Sequence, residues 1–332
     1  MKTKTAKATA TAHPNIALIK YWGDFDSNLH IPVNGSISMN LRELFTRTSV
    51  SFDPYLGHDQ FTLDGRQVSG SGLERVSSLL ERVRQMAGIT ISASVESHNN
   101  FPTGSGVASS ASGFAALSLA ASKAAGLDLD EKSLSRLART GSGSACRSIP
   151  KGFVEWQAGS SDQESYAYSI APPEHWDLVD CIVLVSQDEK PFSSSLGHTL
   201  AQTSLLQSVR VADAPRRLRI CRNAIFNSDF DALANVVELD SNLMHAVMLT
   251  SSPSLLYWHP NTVTIMQAVQ SWHKAGLPVC YTIDAGPNVH VLCPGDVSGE
   301  VAERLKQLSG VVKVLVTHPG GPAMLENGPL NP

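Results

Sequence analysis

An α+β fold is predicted for this 332-residue chain by three observations. Short apolar segments alternate with period two, while longer ones repeat at helical spacing. The two kinds are mixed without the regular strand–helix–strand alternation of a doubly wound sheet. Past Gln187 the character changes: helical patterns dominate, and three strand candidates close the chain. A division into 1–187 and 188–332 follows, and the length suits about two domains.

The elements run in this order. Residues 9–21 read as an extended opening strand that includes the turn signal His13-Pro14-Asn15, and strands follow near 48–53 and 60–64. Leu73, Val76, Leu79, Leu80 and Val83 recur at helical spacing and predict a helix over 71–87. Residues 89–95 alternate and read as a strand. A Gly/Ser turn at 103–106 opens a long helix of small residues reaching about 125. Asp130 is placed to cap the next helix, 131–140. Phe153–Gln157 and Asp180–Ser186 read as strands. Helical patterns then cover about 194–209, 214–227, 230–249 and 261–275, and strands are expected at 279–284, 289–293 and 311–317. Gly320-Gly321-Pro322 and the tail read as frayed.

Composition excludes several classes. Hydrophobic residues make up 42% of the chain, enough for a substantial core, so disorder is excluded as the main state. The 26 Lys and Arg against 30 Asp and Glu give a net charge of −4, which argues against a nucleic-acid partner. No apolar stretch approaches the ~18 to 20 residues of a membrane span. Met1–Ala12 lacks the apolar run of a signal peptide. The five cysteines are scattered without a Cys-x-x-Cys pair and read as buried, reduced thiols of a cytoplasmic protein. The histidines, His30, His198 and His245 among them, are scattered too and read as non-ligands.

Four stretches can carry chemistry. In Pro102-Thr103-Gly104-Ser105-Gly106-Val107-Ala108-Ser109-Ser110 a turn runs into a helix, gathering backbone N–H groups at the positive end of a helix dipole. That suits a phosphate, and Ser109 or Ser110 can reach a phosphate oxygen or Mg²⁺. An ordinary capped helix explains the same residues. Gly141-Ser142-Gly143-Ser144-Ala145-Cys146-Arg147-Ser148 offers hydroxyls and a guanidinium fork for a carboxylate or phosphate, or merely ends a helix. Asp284 closes an apolar strand before Gly286-Pro287, placed either as a base or as a turn former. Asn15-Ile16-Ala17-Leu18-Ile19-Lys20-Tyr21-Trp22-Gly23 puts a cation and two polar-tipped aromatics at a strand end.

Together with Gly152–Trp156, Asp240-Ser241-Asn242, His245 and Asp284-Ala285-Gly286-Pro287-Asn288, these blocks resemble the GHMP kinase superfamily. They most resemble its decarboxylase branch, the mevalonate diphosphate decarboxylases, in that family's order from about residue 8 to 293. The Gly-Ser-Gly-Ser-Ala-Cys-Arg-Ser run is highly specific to this branch, whereas the Gly/Ser loop is shared with the kinases. The resemblance implies a two-domain GHMP-kinase-like fold with the active site in the interdomain cleft, a homodimer, and ATP with Mg²⁺. It implies that the 3-hydroxyl of a phosphorylated mevalonate is phosphorylated, and that this phosphate then leaves as CO₂ is lost.

Residue by residue, it implies that Asp284 is the base at the 3-hydroxyl and that Arg147 holds the substrate carboxylate. Asn15 would lie near that hydroxyl, and Lys20 would support Asp284. Tyr21, Ser142, Ser144, Arg75, Ser193 and Ser194 would contact substrate. Gly104, Ser105, Gly106, Val107, Ala108, Ser109 and Ser110 would hold the ATP phosphates. The family pattern continues Lys-Tyr-Trp-Gly-Lys; here it reads Lys20-Tyr21-Trp22-Gly23-Asp24. His198 likewise stands where the family segment places Met. A carboxylate in place of an ammonium disfavours a second phosphate, so mevalonate 5-phosphate is the expected substrate. Two other substrate assignments remain: Asp24 facing solvent while Lys190, Lys20 or Arg75 serves a 5-diphosphate, and a small-molecule kinase that stops after phosphoryl transfer. A non-catalytic sensor on the same fold finds no support, since Lys20, Arg147 and Asp284 are all present.

Overall fold

In the computed structural model, residues 7–101, 109–185 and 192–326 are described. The fold is α+β and two-domain, as expected, and is built on three main sheets. The first runs in the order Met324–Leu325, Lys7–Ala12, Thr46–Phe52, Ala93–Asn99, Gln60–Leu63 and Arg66–Gln67. Helices Ser71–Ala87, Ser109–Ala124 and Glu131–Gly141 share a core with it, through residues such as Val50, Val83, Val95 and Ala120. The small side chains of Ser109–Ala124 leave this helix buried over much of its surface. The expected 71–87 helix is present to the residue. Asp130 caps the third helix, accepting from the Ser133 N–H. Asp130→Ala should therefore cost about 1 kcal/mol, read as a lower urea midpoint.

The second sheet runs Tyr166–Ala171, Phe153–Gln157, Ser36–Asn40, Asn15–Ile19. The third runs Cys280–Thr282, Val289–Pro294, Leu178–Leu184, Lys313–Thr317. Asn15–Ile19 and Cys280–Thr282 are each an edge strand. The two edges lie side by side, with the Thr282 hydroxyl 3.4 Å from the Ala17 carbonyl. Helix Phe230–Thr250 packs on both. Its Asp240 accepts from the Lys20 N–H at 2.6 Å and from Arg217 Nε at 2.6 Å, with Arg217 and Asp240 both fully buried. The chain segments carrying Lys20 and Asp284 are thereby fixed against each other.

Several expectations need correction. The opening strand is two strands in two sheets, because Pro14 breaks the ladder and turns the chain. The strand expected at 89–95 lies at 93–99: its partner Thr46–Phe52 ends opposite Ala93, and the two chains part after the Asp53 N–H to Ser92 bond. Residues 194–209 are not one helix. Ser194–Leu200 ends in a short 3₁₀ turn, and Gln207–Asn227 then runs through Pro215. Pro215 lacks the N–H that would bond the Val211 carbonyl, while Arg210 and Arg217 on either side anchor the helix by buried side-chain hydrogen bonds. Strands Ser36–Asn40 and Tyr166–Ala171 and helix Ser298–Lys306 add to the expected elements; Ser-Ile-Ser-Met-Asn alternates with period two, and Val301, Ala302 and Leu305 form one buried helix face, so both signals are present in the sequence. The tail is not frayed up to Glu326. Gly320 donates to Asn40 and accepts from Gly152, and Met324–Leu325 adds to the first sheet. All five cysteines are buried and unbridged.

Candidate active site

A cavity of about 420 Å³ opens where the first residues after Asn15–Ile19 meet the 3₁₀ turn Gly143–Ser148, the Ser194–Leu200 helix and the loop after Cys280–Thr282. Asp284 and Arg147, 137 residues apart in sequence, both line it.

Asp284 is ion-paired with Lys20, Nζ to Oδ1 at 2.6 Å. Lys20 is almost wholly buried, while the Asp284 side chain is 30% exposed and so reaches the cavity. Burial pushes the Asp284 carboxyl up, but the Lys20 ammonium, together with His290 and Arg147, outweighs this and holds it below the ordinary value. The backbone before Asp284 is gripped: the Ile283 N–H donates to Ser241 Oγ at 3.0 Å, and its carbonyl lies 3.3 Å from His245 Nε2. Burial pushes His245 down to about 3, so it serves as a neutral partner.

Arg147 is buried, which pulls its guanidinium below the usual value. It donates from Nε to Asn15 Oδ1 at 3.2 Å and from Nη1 to Ser36 Oγ at 2.8 Å. Asn15 is oriented in turn by donating to the Ser144 carbonyl and to Ser148 Oγ. Among the described residues no carboxylate lies within ion-pair distance of Arg147. A buried cation held by neutral groups is set to receive an anion.

Tyr21 and Asp24 form the wall beside these groups. The Tyr21 hydroxyl donates to Asp24 Oδ1, and burial followed by the Asp24 charge raises the Tyr21 phenol well above its ordinary value. Its ring lies 4.1 Å from that of His198, centre to centre. Gly143 is required here, since a Cβ would lie 2.6 Å from the Tyr21 ring. Asp24 does not face solvent: its side chain is 9% exposed, with His30 Nδ1 3.5 Å away. Burial raises its carboxyl, but hydrogen bonding from His30 and the other neighbours leaves it net below the usual range. His198 Nδ1 accepts from the Gly23 N–H at 3.0 Å, and burial pushes this imidazole down to about 4.

The remaining residues singled out in the sequence divide. Ser142, Ser144, Arg75, Ser110, Ser193 and Ser194 all line the cavity. Ser193 Oγ accepts from the Leu196 N–H and caps its helix, and Ser110 Oγ lies 3.3 Å from Ser142 Oγ. Arg75 donates to the Gly141 carbonyl and stacks over Phe114. Ser109 instead lines a second cavity of about 180 Å³, walled by Phe61, Leu63, Val76 and Phe114. Arg75 and Ser110 belong to both cavities. Gly104, Ser105, Gly106, Val107, Ala108 and Lys190 lie outside the described residues. Sequence reading misses Ser27, His30 and Thr199, which line the cavity, and Ser36, which holds Arg147 from behind; only their proximity in space marks them, and His30 and His198 line the cavity rather than scatter. No group of three His, Cys, Asp or Glu set to hold a metal occurs among the described residues.

A family model for the diphosphomevalonate decarboxylase-like N-terminal domain matches residues 12–167, and one for the mevalonate 5-diphosphate decarboxylase C-terminal domain matches residues 181–320. The chain belongs to the diphosphomevalonate decarboxylase family. Within it, the chain is 38% identical to the diphosphomevalonate decarboxylase of Candida albicans over 299 residues, covering 85% of this chain and 82% of that one. It is 32% identical to the phosphomevalonate decarboxylase of Haloferax volcanii over 319 residues, 96% and 97% of the two chains. A mevalonate diphosphate decarboxylase structure from Enterococcus faecalis matches with a TM-score of 0.91 at 36% identity, over 98% of this chain and all of that one. A solved complex of MDDEF with MVAPP, AMPPCP and magnesium matches at 0.92, also with 36% identity and covering 98% and 100% of the two chains.

Proposed function

We propose that this family member uses ATP to decarboxylate mevalonate 5-phosphate, giving isopentenyl phosphate, ADP, phosphate and CO₂. ATP-dependent decarboxylation in the mevalonate pathway follows from the family. The single observation that carries the choice of a monophosphate is Asp24, an inward carboxylate where the family pattern has Lys. At ~4 Å and an effective dielectric near ~20, one unit-charge pair is worth roughly 4 kcal/mol before screening. Exchanging Lys for Asp changes the wall by two charges, against the more anionic substrate.

The cavities fit ATP and Mg²⁺. The apolar second cavity suits a flat base, and it meets the polar one at Arg75 and Ser110, where a helix begins. Ser109 or Ser110 would serve the metal. Bound ATP supplies the phosphoryl group that makes the 3-oxygen a leaving group.

The chain's own residues then act as follows. Asp284, kept ionised by Lys20, accepts the proton of the 3-hydroxyl. Arg147, held by Asn15, seats the substrate carboxylate, Asn15 lies near the 3-hydroxyl, and Ser142 and Ser144 donate to the substrate. Tyr21, whose raised phenol stays protonated, closes the wall. With the carboxylate fixed and water displaced, loss of CO₂ follows departure of the 3-phosphate. A kinase that stops after phosphoryl transfer has no use for a buried cation at this place. The same reading includes a cytoplasmic homodimer. It keeps two domains, 1–187 and 188–332; among the described residues Leu178–Leu184, near the end of the first, pairs with strands of the C-terminal half.

Steady-state kinetics on both substrates decides the choice. The expected kcat/KM favours the 5-phosphate by at least about tenfold, with CO₂ and ADP formed one to one. A higher kcat/KM for the 5-diphosphate rejects the monophosphate reading. ADP without CO₂ rejects decarboxylation.

A further inference from the structure

His30 occupies an unusual place. It is one of three non-glycine residues among the described ones with positive φ, at +49°. Such a conformation is uncommon and is kept where the surroundings determine it. Here the turn before it is fixed twice: Asp26 Oδ1 accepts from the Asn28 and Leu29 N–H groups, and Arg139 Nε donates to the Leu29 carbonyl at 2.8 Å. The result is an imidazole 3.5 Å from the Asp24 carboxylate, and both line the cavity that holds Asp284 and Arg147.

The charged and titratable groups around His30 come from four elements. Asp24 and Asp26 share its hairpin, and Tyr21 donates to Asp24 from the preceding strand end. His198 approaches from the Ser194–Leu200 helix. Arg139, from Glu131–Gly141, is paired with Asp162. Tyr21 stays protonated, Asp24 stays ionised, and His198 stays neutral above its depressed value of about 4. Histidine is the side chain whose charge ordinarily changes between about pH 5 and 8.

We propose that His30 determines specificity: when protonated it compensates the Asp24 carboxylate, and when neutral it leaves that charge facing the substrate. The preference for one phosphate over two therefore grows as pH rises. This inference rests on the monophosphate reading given above and adds the group that adjusts it.

The test measures kcat/KM for the 5-phosphate and the 5-diphosphate from about pH 5.5 to 8, in the wild type, His30→Asn and Asp24→Asn. Asparagine tolerates the left-handed backbone at position 30, so the turn is kept. Ionisation of the substrates themselves moves the monophosphate-to-diphosphate ratio equally in all three proteins, so the wild type is read relative to the variants at each pH. Relative to His30→Asn, the wild-type ratio should rise about tenfold across this range. Asp24→Asn should have a low ratio with the same pH course as His30→Asn. A wild-type course that matches either variant overturns the role of His30. A ratio below one at about pH 7.5, whatever its slope, instead overturns the monophosphate reading, so the two failures are distinguishable.

Discussion

Asp284→Asn is expected to lower kcat by about 10³-fold with little change in KM for ATP, because the amide fills the same space but cannot take a proton. The setting of Asp284 sharpens this. Burial alone would raise its carboxyl and keep it protonated nearer neutrality. Lys20, at 2.6 Å, reverses the direction together with His290 and Arg147, so the base stays ionised. The acid limb of the rate profile should therefore fall below the ordinary carboxylate value. Replacing Lys20 with Met removes the largest interaction that opposes burial, and that limb should move to higher pH. The same sign holds for stability. A depressed folded value contributes stability that is present above the unfolded value and lost as pH falls through the folded one. Unchanged ATP turnover in Asp284→Asn would remove Asp284 from the role of base.

Arg147→Ala is expected to cut kcat by about 10² to 10³-fold while ATP affinity, read by equilibrium titration, moves less than about threefold. Arg147 lines the cavity while Nε and Nη1 are taken up by Asn15 and Ser36, neutral partners that hold the fork in place without quenching its charge. Removing it takes away the cation facing the substrate carboxylate. Arg147→Lys should recover only part of the loss, since an ammonium cannot reproduce the planar fork. Measuring CO₂ beside ADP adds a second reading, because a carboxylate left unseated should lower CO₂ release at least as much as ATP turnover. Equal losses in turnover and ATP affinity would mean that Arg147 only supports the fold.

Much of this was legible in the chain itself. The apolar spacing of Leu73 to Val83 gave a helix with its ends, because burial of one face leaves a 3.6-residue signature. The Gly-Ser-Gly-Ser run, Asp284 and the Lys20 segment are visible in the sequence as candidates, but each also fits a helix end, a turn or a strand end, and their roles come only from the resemblance to the family. Strand boundaries are less legible: Ala93–Asn99 starts where its antiparallel partner ends, which is a property of Thr46–Phe52 rather than of residues 89–95.

Local sequence determined which residue types were available and which backbone segments could form, since periodicity, caps and turn residues act over a few positions. Tertiary structure alone decided that Lys20 meets Asp284 across 264 residues, that Arg147 faces the same cavity, and that Asp24 turns inward beside His30. Charge and burial belong to positions in space, and two edge strands from opposite ends of the chain had to come together before any of those pairings existed.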